Sequence, residues 1–550
     1  MNYVDYTPDI IIYNGVLHTV DKKNTILQAV AIKGNIIVAT GSDEEVLSLK
    51  TERTKLIDAK GCTIMPGIVE SHIHMWEAGM LMQGLVTFGI DSIEQLKEQV
   101  KLKLEQMKPG EWLQGGGWIE SQFKEKRMPT KEDLDEISPN NPVVLERIFS
   151  TCVANGAALK CANITKDTKD PKGGEIGRDP LTKEPNGLLF RTAKQLVRDV
   201  MPSAYQEDKF GEGKQIEEVI VHAMNDFMTY GITSVVEPGV NPSMIRAYQQ
   251  LKDSKQLKIR TNLMPNWHGF AINEDESFSD RLIQEYGVYT GFGDEKLRIG
   301  GLKMAIDGGL TSKTALKSWP YLNEDKPRDV ELRMDVTKLK GWVKQAHDAG
   351  WTVGIHVMGD TAIELACNAI YEAYQANPQD RRHQIIHAYF PTEDSLNKMK
   401  EANMIAAIQP AFIYNEADGY DVLLPQDKQE SFIPIRQYLD HGIRTAMSSD
   451  MPSAHHNPFW GVYGAIARKG IQGYHLGNKE SATLEECLRM MCIEGAYMTQ
   501  EEHIKGSIEV GKLADILILD RNIKDTSVEE TKDTKVILTM IDGVIEYQRN

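Results

Sequence analysis

The chain has 550 residues, of which 41% are hydrophobic and 26% charged. That is enough apolar material for a large core and excludes a disordered or collagen-like chain. Lys and Arg number 62 against 79 Asp and Glu, a net charge of −17, which argues against nucleic acid or an anionic membrane as partner.

Taken in chain order, the first residues show no basic stretch leading into a long apolar run, so no secretory leader is expected. No segment approaches about 18 uninterrupted apolar residues, so no membrane span is expected either. Residues 9–20 and 28–41 read as strands, with Asn14-Gly15 and Gly34-Asn35 as turns. Residues 514–520 and 535–547 repeat that style at the other end, with Asp542-Gly543 as the turn. Both ends, 1–62 and 505–550, are expected to build one composite β-sandwich domain.

Between them, short Val/Ile-rich runs alternate with helical stretches. The runs are 63–74, 232–239, 258–265, 297–309, 352–360, 384–389, 404–410 and 443–450. Continuous apolar runs suit parallel strands buried on both faces. Eight of them with interleaved helices is the count of an α/β (β/α)8 TIM barrel, spanning 63–82 and 225–504. The gap after the first strand is too long for a βα connection. It contains a helix over 92–107, a strand over 142–148 and a Gly/Pro/Asp-rich stretch, 170–187, read as an exposed turn system. Residues 83–224 are therefore expected to form an inserted, substrate-covering lid. The six cysteines (Cys62, Cys152, Cys161, Cys367, Cys487 and Cys492) form no CxxC pair. They are expected to be reduced thiols packed in the core of a cytoplasmic protein.

The chemistry lies at the strand ends. His72-Ile73-His74 closes the first run, and positions i and i+2 on a strand share a face. Two imidazoles then converge where barrel enzymes place their sites, and neutral imidazole is a common ligand for zinc-like ions. His356 lies within the fifth run, His387 in the sixth, and Asp450 ends the eighth. Lys303 stands among Leu302, Met304 and Ala305, where an ammonium is costly to bury. Reaction with carbon dioxide would make it a carbamate able to bridge two metals; an ion pair with Asp307 is the ordinary alternative.

These residues resemble the amidohydrolase superfamily, and more narrowly its amidohydrolase-3 branch. The motifs are PGIVESHIH (66–74), GGGWIE (115–120), GGEIGRDP (173–180), LKMAIDGG (302–309), IHVMGDTAI (355–363), SSDMPS (448–453), NPFWGVY (457–463) and KGSIEVGKLADILILD (505–520). The resemblance covers nearly the whole chain. It implies a barrel with a β-sandwich, one or two divalent metals per chain, with Zn2+ the expected ion, and hydrolysis of amide or related bonds by metal-supplied hydroxide. His72, His74 and Asp450 would bind the more buried metal, and His356 and His387 the second. N6-carboxylated Lys303 would bridge them, and Asp450 would shuttle the proton. Two positions depart from the pattern: the insert reads Arg147-Ile148-Phe149-Ser150-Thr151, and Ile386 precedes the sixth-strand His. Phe149 and Ile386 point to a less polar pocket or to packing.

Trp118, Trp319, Tyr414 and Trp460 are expected as aromatic pocket walls, Glu70 as a hydrogen-bond partner of a ligand, and Asp360 as the cap of the helix after the fifth strand. Asp307 is expected next to the ligands, while His383, His455 and His456 are expected to be structural or solvated. Gly308-Gly309 would allow a close backbone turn. The expected function is hydrolysis of a linear amide, such as an N-acyl or N-formyl amine, on a small-molecule substrate in the cytoplasm, by a homodimer. Alternatives are deamination of a heterocycle, ester or lactone hydrolysis, and a non-catalytic binding module that keeps the fold.

Overall fold

The computed structural model describes residues 7–148, 151–202, 214–269 and 277–549. The middle of the chain is α/β. Ile68–Glu70, Ile232–Val240, Arg260–Pro265 and Leu297–Ile299 form a four-stranded sheet, every pair parallel. Leu302–Ala305, Val353–Val357, Gln384–His387, Ile405–Ile408 and Thr445–Met447 form a five-stranded sheet, also parallel throughout. Most of these residues are buried, which is why the strands read as continuous apolar runs.

The two sheets touch at both edges. At one edge a parallel bridge pairs Asn266 with Lys303, and Trp267 N–H donates to Lys303 O at 2.7 Å. At the other, Ser71 Oγ donates to Met447 O at 3.0 Å and Asp450 N–H to His72 O at 3.0 Å.

Two expected strands are divided. The run 63–74 splits at Gly67 into Thr63–Pro66 and Ile68–Glu70. A Cβ at Gly67 would stand 2.2 Å from Thr233 Oγ1, so the close approach to the neighbouring strand requires glycine. Thr63–Pro66 pairs not with the parallel sheet but with Ile516–Leu519 and Val16–His18. The run 297–309 breaks at Gly300-Gly301, where a Cβ at Gly300 would overlap Asn262 Oδ1 at 1.3 Å.

The two ends of the chain share one core. A six-stranded sheet holds Val544–Gln548, Val536–Ile541 and Ile516–Leu519 beside Thr63–Pro66, Val16–His18 and Ile26–Leu27. It packs on a four-stranded sheet of Ile36–Gly41, Ala29–Lys33, Ile10–Tyr13 and Lys55–Asp58 through Ile12, Leu17, Val30, Ile32, Ile64, Ile516 and Met540. Arg260, only 1% exposed, ties this body to the parallel strands by donating to both Asp515 oxygens at 2.7 and 3.0 Å.

The segment after the first parallel strand has its own six-stranded sheet and apolar cores. Its expected helix is Ile93–Leu104, capped by Ser92 Oγ accepting from Gln95 N at 3.2 Å and burying Ile93, Leu96 and Val100. The stretch expected as exposed turns is instead a hairpin of Gly174–Arg178 and Pro185–Arg191. Its turn closes because Asp179 Oδ1 accepts from the amides of Leu181 and Thr182 at 2.9 and 2.7 Å. No helix among the described residues is long and apolar enough to cross a membrane. All six cysteines are free; Cys161 is exposed and Cys62 half-buried, so only four pack as core.

Candidate metal centre

His72 and His74 lie just past the end of Ile68–Glu70, in a bend rather than on the strand. Two buried carboxylates shape that bend. Glu70 Oε1 accepts from Ser449 N at 2.8 Å, tying it to the segment that carries Asp450. Glu237 Oε2 accepts from Met75 N at 2.6 Å and holds the first turn of the helix Met75–Met82. The imidazoles converge all the same: Nε2 of His72 and of His74 stand 3.5 and 3.4 Å from Asp450 Oδ1. One ligand atom from each of the three residues lies within 4.8 Å of the other two, and all three residues are buried.

The remaining candidates surround this trio. Lys303 Nζ is 3.3 Å from His72 Nε2. The His387 ring is centred 5.7 Å from that of His72 and 4.4 Å from that of His356. His387 Nδ1 contacts Gln409 Oε1 at 2.7 Å. His387 and Asp450 both hold left-handed backbone, φ 72° and 57°, a conformation costly for side-chain-bearing residues. Asp307 is not the partner of Lys303; its carboxylate accepts from the amides of Leu316, Met358 and Gly359 at 2.8, 3.0 and 3.0 Å. It thereby holds the turn after His356, whose Nε2 is 3.9 Å from Asp307 Oδ1.

The electrostatics keep three of the four imidazoles, His72, His356 and His387, neutral. Burial, then the Lys303 charge, holds His72 well below its ordinary range, and burial with the neighbouring His387 does the same to His356. Burial brings His387 down to about 4. Burial also opposes charge on His74, but its bond to Asp450 and the charge of Glu77 raise it. For Asp450 burial favours the acid, yet the His74 bond and the charge of His387 bring it below the ordinary carboxylate range. Burial lowers Lys303 to about 7 and lifts Glu70 to about 8. Neutral His72, His356 and His387 beside an ionised Asp450 are in the protonation states a divalent metal needs, and a cation at the centre would displace the proton that Asp450 favours on His74. The ligand nitrogens that face the cluster are Nε2 of His72 and of His74, both aimed at Asp450 Oδ1. The donor set fits a zinc-like ion.

Several expected contacts lie elsewhere. Trp118 is fully buried in the insert, its indole donating to Leu145 O at 3.0 Å and its ring stacked on Phe123. It is core, not a pocket wall. Tyr414 and Trp460 pair with each other, 5.0 Å between ring centres, and with Tyr463 and His455, none of them part of the metal cluster. Trp319 meets Phe390 edge-on at 5.0 Å, with Lys317 Nζ 4.0 Å over its ring. Asp360 is the first residue of the helix Asp360–Ala376 rather than its cap, which is Gly359; its carboxylate accepts from Ser318 N at 2.8 Å. Ile386 is core, packed with Val236, Met264 and Ile405. Phe149 lies outside the described residues. His383 is buried and hydrogen-bonded, and His455 and His456 stack at 4.6 Å, with His456 2.8 Å from Asp226. Gln409, Glu237 and Glu416 went unread in the sequence. Gln409 and Glu237 had a local signal, each a polar residue near the end of its apolar run, the seventh and the second.

A model of the amidohydrolase family matches residues 55–547. An N-substituted formamide deformylase of Arthrobacter pascens is 27% identical over 549 residues, 98% of each chain. Protein LONG AFTER FAR-RED 3 of Arabidopsis thaliana is 29% identical over 552 residues, 97% of this chain and 91% of that one. Among solved structures, an uncharacterised metal-dependent hydrolase of Pyrococcus furiosus superposes with a TM-score of 0.69 at 26% identity, covering 93% of this chain and 99% of the other. With the family match spanning most of its length and a metal-ligand cluster at its strand ends, the chain belongs to the amidohydrolase family and is a hydrolase.

Proposed function

We propose that the chain hydrolyses a linear amide, an N-acyl or N-formyl amine, at a zinc centre held by His72, His74, Asp450, His356, His387 and a carboxylated Lys303. The observation that carries this reading is the convergence of His72 and His74 on one oxygen of Asp450, 3.5 and 3.4 Å away. The N-substituted formamide deformylase, similar over 98% of the chain, supports the substrate class. When bound, a divalent ion lowers the pKa of water to about 7 and polarises a carbonyl.

The chain's own residues do the rest. Asp450, ionised, accepts the proton of the attacking water and passes it to the leaving nitrogen as the C–N bond breaks. Water thus adds across that bond, giving a carboxylic acid and an amine. Lys303 enters through its neutral amine: Nζ adds to carbon dioxide, an N–C bond forms, and one proton leaves to solvent. That places a carboxylate beside His72 Nε2, where Nζ now stands at 3.3 Å.

The two parallel sheets, joined at both edges, support a reading as one closed (β/α)8 barrel with the kinked 297–305 segment as its fourth strand. The sheets of both termini would be its composite β-sandwich and 83–224 its covering insert. Metal analysis of the purified protein, with a screen of N-formyl and N-acyl amines read by amine release, tests the function. One to two divalent ions per chain and chelator-sensitive amine release are expected. Protein without metal, or metal-loaded protein inert on the whole panel, would overturn it.

A further inference from the structure

The metal-ligand side chains are not equally shut off from solvent. Those of His72, His74 and Asp450 are 1%, 7% and 8% exposed, and Lys303 and His387 are as deeply buried. His356 is the exception, at 16%. Solvent, and a substrate with it, reaches the cluster past His356.

One basic side chain stands on that open side, and the metal chemistry does not use it. Arg333 belongs to the connection between the strand Leu302–Ala305, which carries Lys303, and the helix Leu339–Asp348. Its backbone is fixed at the end of that strand. Arg333 N donates to Ile306 O at 3.0 Å, and Ile306 N donates to His356 O at 3.2 Å. Two backbone hydrogen bonds therefore lead from Arg333 to the exposed ligand. On its other flank the chain closes on Gly269, where a Cβ would stand 3.2 Å from Arg333 O. Gly269 follows the strand Arg260–Pro265, so Arg333 is held between two connections at the ligand-bearing ends of the parallel strands.

The Arg333 side chain is exposed, and its guanidinium makes no hydrogen bond or ion pair among the described residues. The carboxylate whose charge reaches it, Asp307, is fully buried and already accepts from the amides of Leu316, Met358 and Gly359. Lys303 and His356 in turn feel the Arg333 charge, in keeping with the backbone path.

A guanidinium left without an acceptor at the mouth of a hydrolytic site selects its ligand by charge and shape. Its planar fork matches a carboxylate through two parallel bonds. One guanidinium balances one negative charge, so the second charge of a phosphate would go unmatched beside Asp450. An ammonium would be repelled, and a neutral end gains only an ordinary hydrogen bond.

We propose that Arg333 is a specificity residue that pairs with a carboxylate on the amine portion of the substrate, which makes the substrate class N-acyl or N-formyl amino acids. The amine portion is chosen because a formyl group has no place for a carboxylate. This rests on the amide-hydrolase reading above.

The test uses metal-loaded full-length protein and N-formyl amines ending in carboxylate, methyl, phosphate or ammonium, matched in length over a series of chain lengths. At the best length, kcat/KM for the carboxylate end should exceed the methyl end by about tenfold or more. In Arg333→Met, which keeps an apolar stem, that ratio collapses toward one. Arg333→Lys retains part of it, since an ammonium keeps the charge and loses the fork. No carboxylate preference at any length, a preference for phosphate or ammonium, or a ratio unchanged in Arg333→Met overturns the assignment. If the protein hydrolyses nothing, the amide reading fails separately, and calorimetry with the carboxylate-ended and methyl-ended probes on wild type and Arg333→Met decides the role of Arg333. Tighter carboxylate binding that the variant loses supports it. Equal binding, or a preference that the variant keeps because the carboxylate sits on the metal, overturns it.

Discussion

His387 Nδ1 stands 2.7 Å from Gln409 Oε1, and that contact decides which imidazole nitrogen is left for a metal. Gln409 Nε2 donates to Ala407 O at 3.1 Å and Ser448 Oγ at 3.0 Å, so its amide is turned with the oxygen toward His387. A carbonyl oxygen only accepts, which puts the proton on Nδ1 and the lone pair on Nε2. Gln409→Leu removes that constraint. Metal affinity should fall about 10- to 100-fold, measured by competition with a chromophoric chelator. Affinity unchanged would mean that packing alone orients His387.

Lys303 is buried and 3.3 Å from His72 Nε2. Lys303→Ala should lose bound metal and amide hydrolysis together, and short carboxylic acids added to the buffer should restore part of the rate. Full metal content with full activity in the variant would remove Lys303 from the centre.

A relay of hydrogen-bonded histidines lies apart from the centre. His383 Nδ1 accepts from Val353 N–H at 3.0 Å, so its proton sits on Nε2 and is donated to His347 Nδ1 at 2.9 Å; His347 Nε2 then donates to Asn377 O at 2.7 Å. Burial, then the charge of His347, pushes His383 from 6.5 to about 3. Below pH 6.5 the unfolded chain therefore takes up a proton that the fold refuses until about 3. The stability tied to this group is complete above that window and drains as pH falls through it, by about 1.4 kcal/mol per pH unit. Urea midpoints at pH 7.5 and 5 should fall further for wild type than for His383→Gln in the same metal state. Equal falls would mean that the imidazole is not held neutral.

Arg260 is 1% exposed and depends on Asp515 for two of its hydrogen bonds. Asp515→Ala leaves a buried guanidinium underpaired and should cost roughly 3–5 kcal/mol, read by denaturant unfolding. Arg260→Met with Asp515→Leu should recover much of that loss, since the expense lies in the uncompensated charge. A loss as large in the double variant as in the single one would point to shape instead.

The parallel strands and their chemical residues could be read along the chain because that information is local. Buried strands need short apolar runs such as those in Gln384–His387 and Ile405–Ile408, and a ligand at a strand end sits next to its own strand. His72, His74, Lys303, His356, His387 and Asp450 could therefore be named together, and they are neighbours in space.

What only the folded chain decided depends on partners distant in sequence. Gly67 and Gly300 break their strands because Thr233 and Asn262 come too close for any Cβ, a fact absent from their own segments. Trp118 looked like a pocket wall beside its glycines, but Leu145 and Phe123 claim it for the core of the insert. Gln409 selects a nitrogen on His387 from a strand that the sequence of the sixth run does not contain. Hydrogen bonds and charges act through space over a few ångströms, whereas sequence patterns report only which side of its own strand or helix a residue occupies.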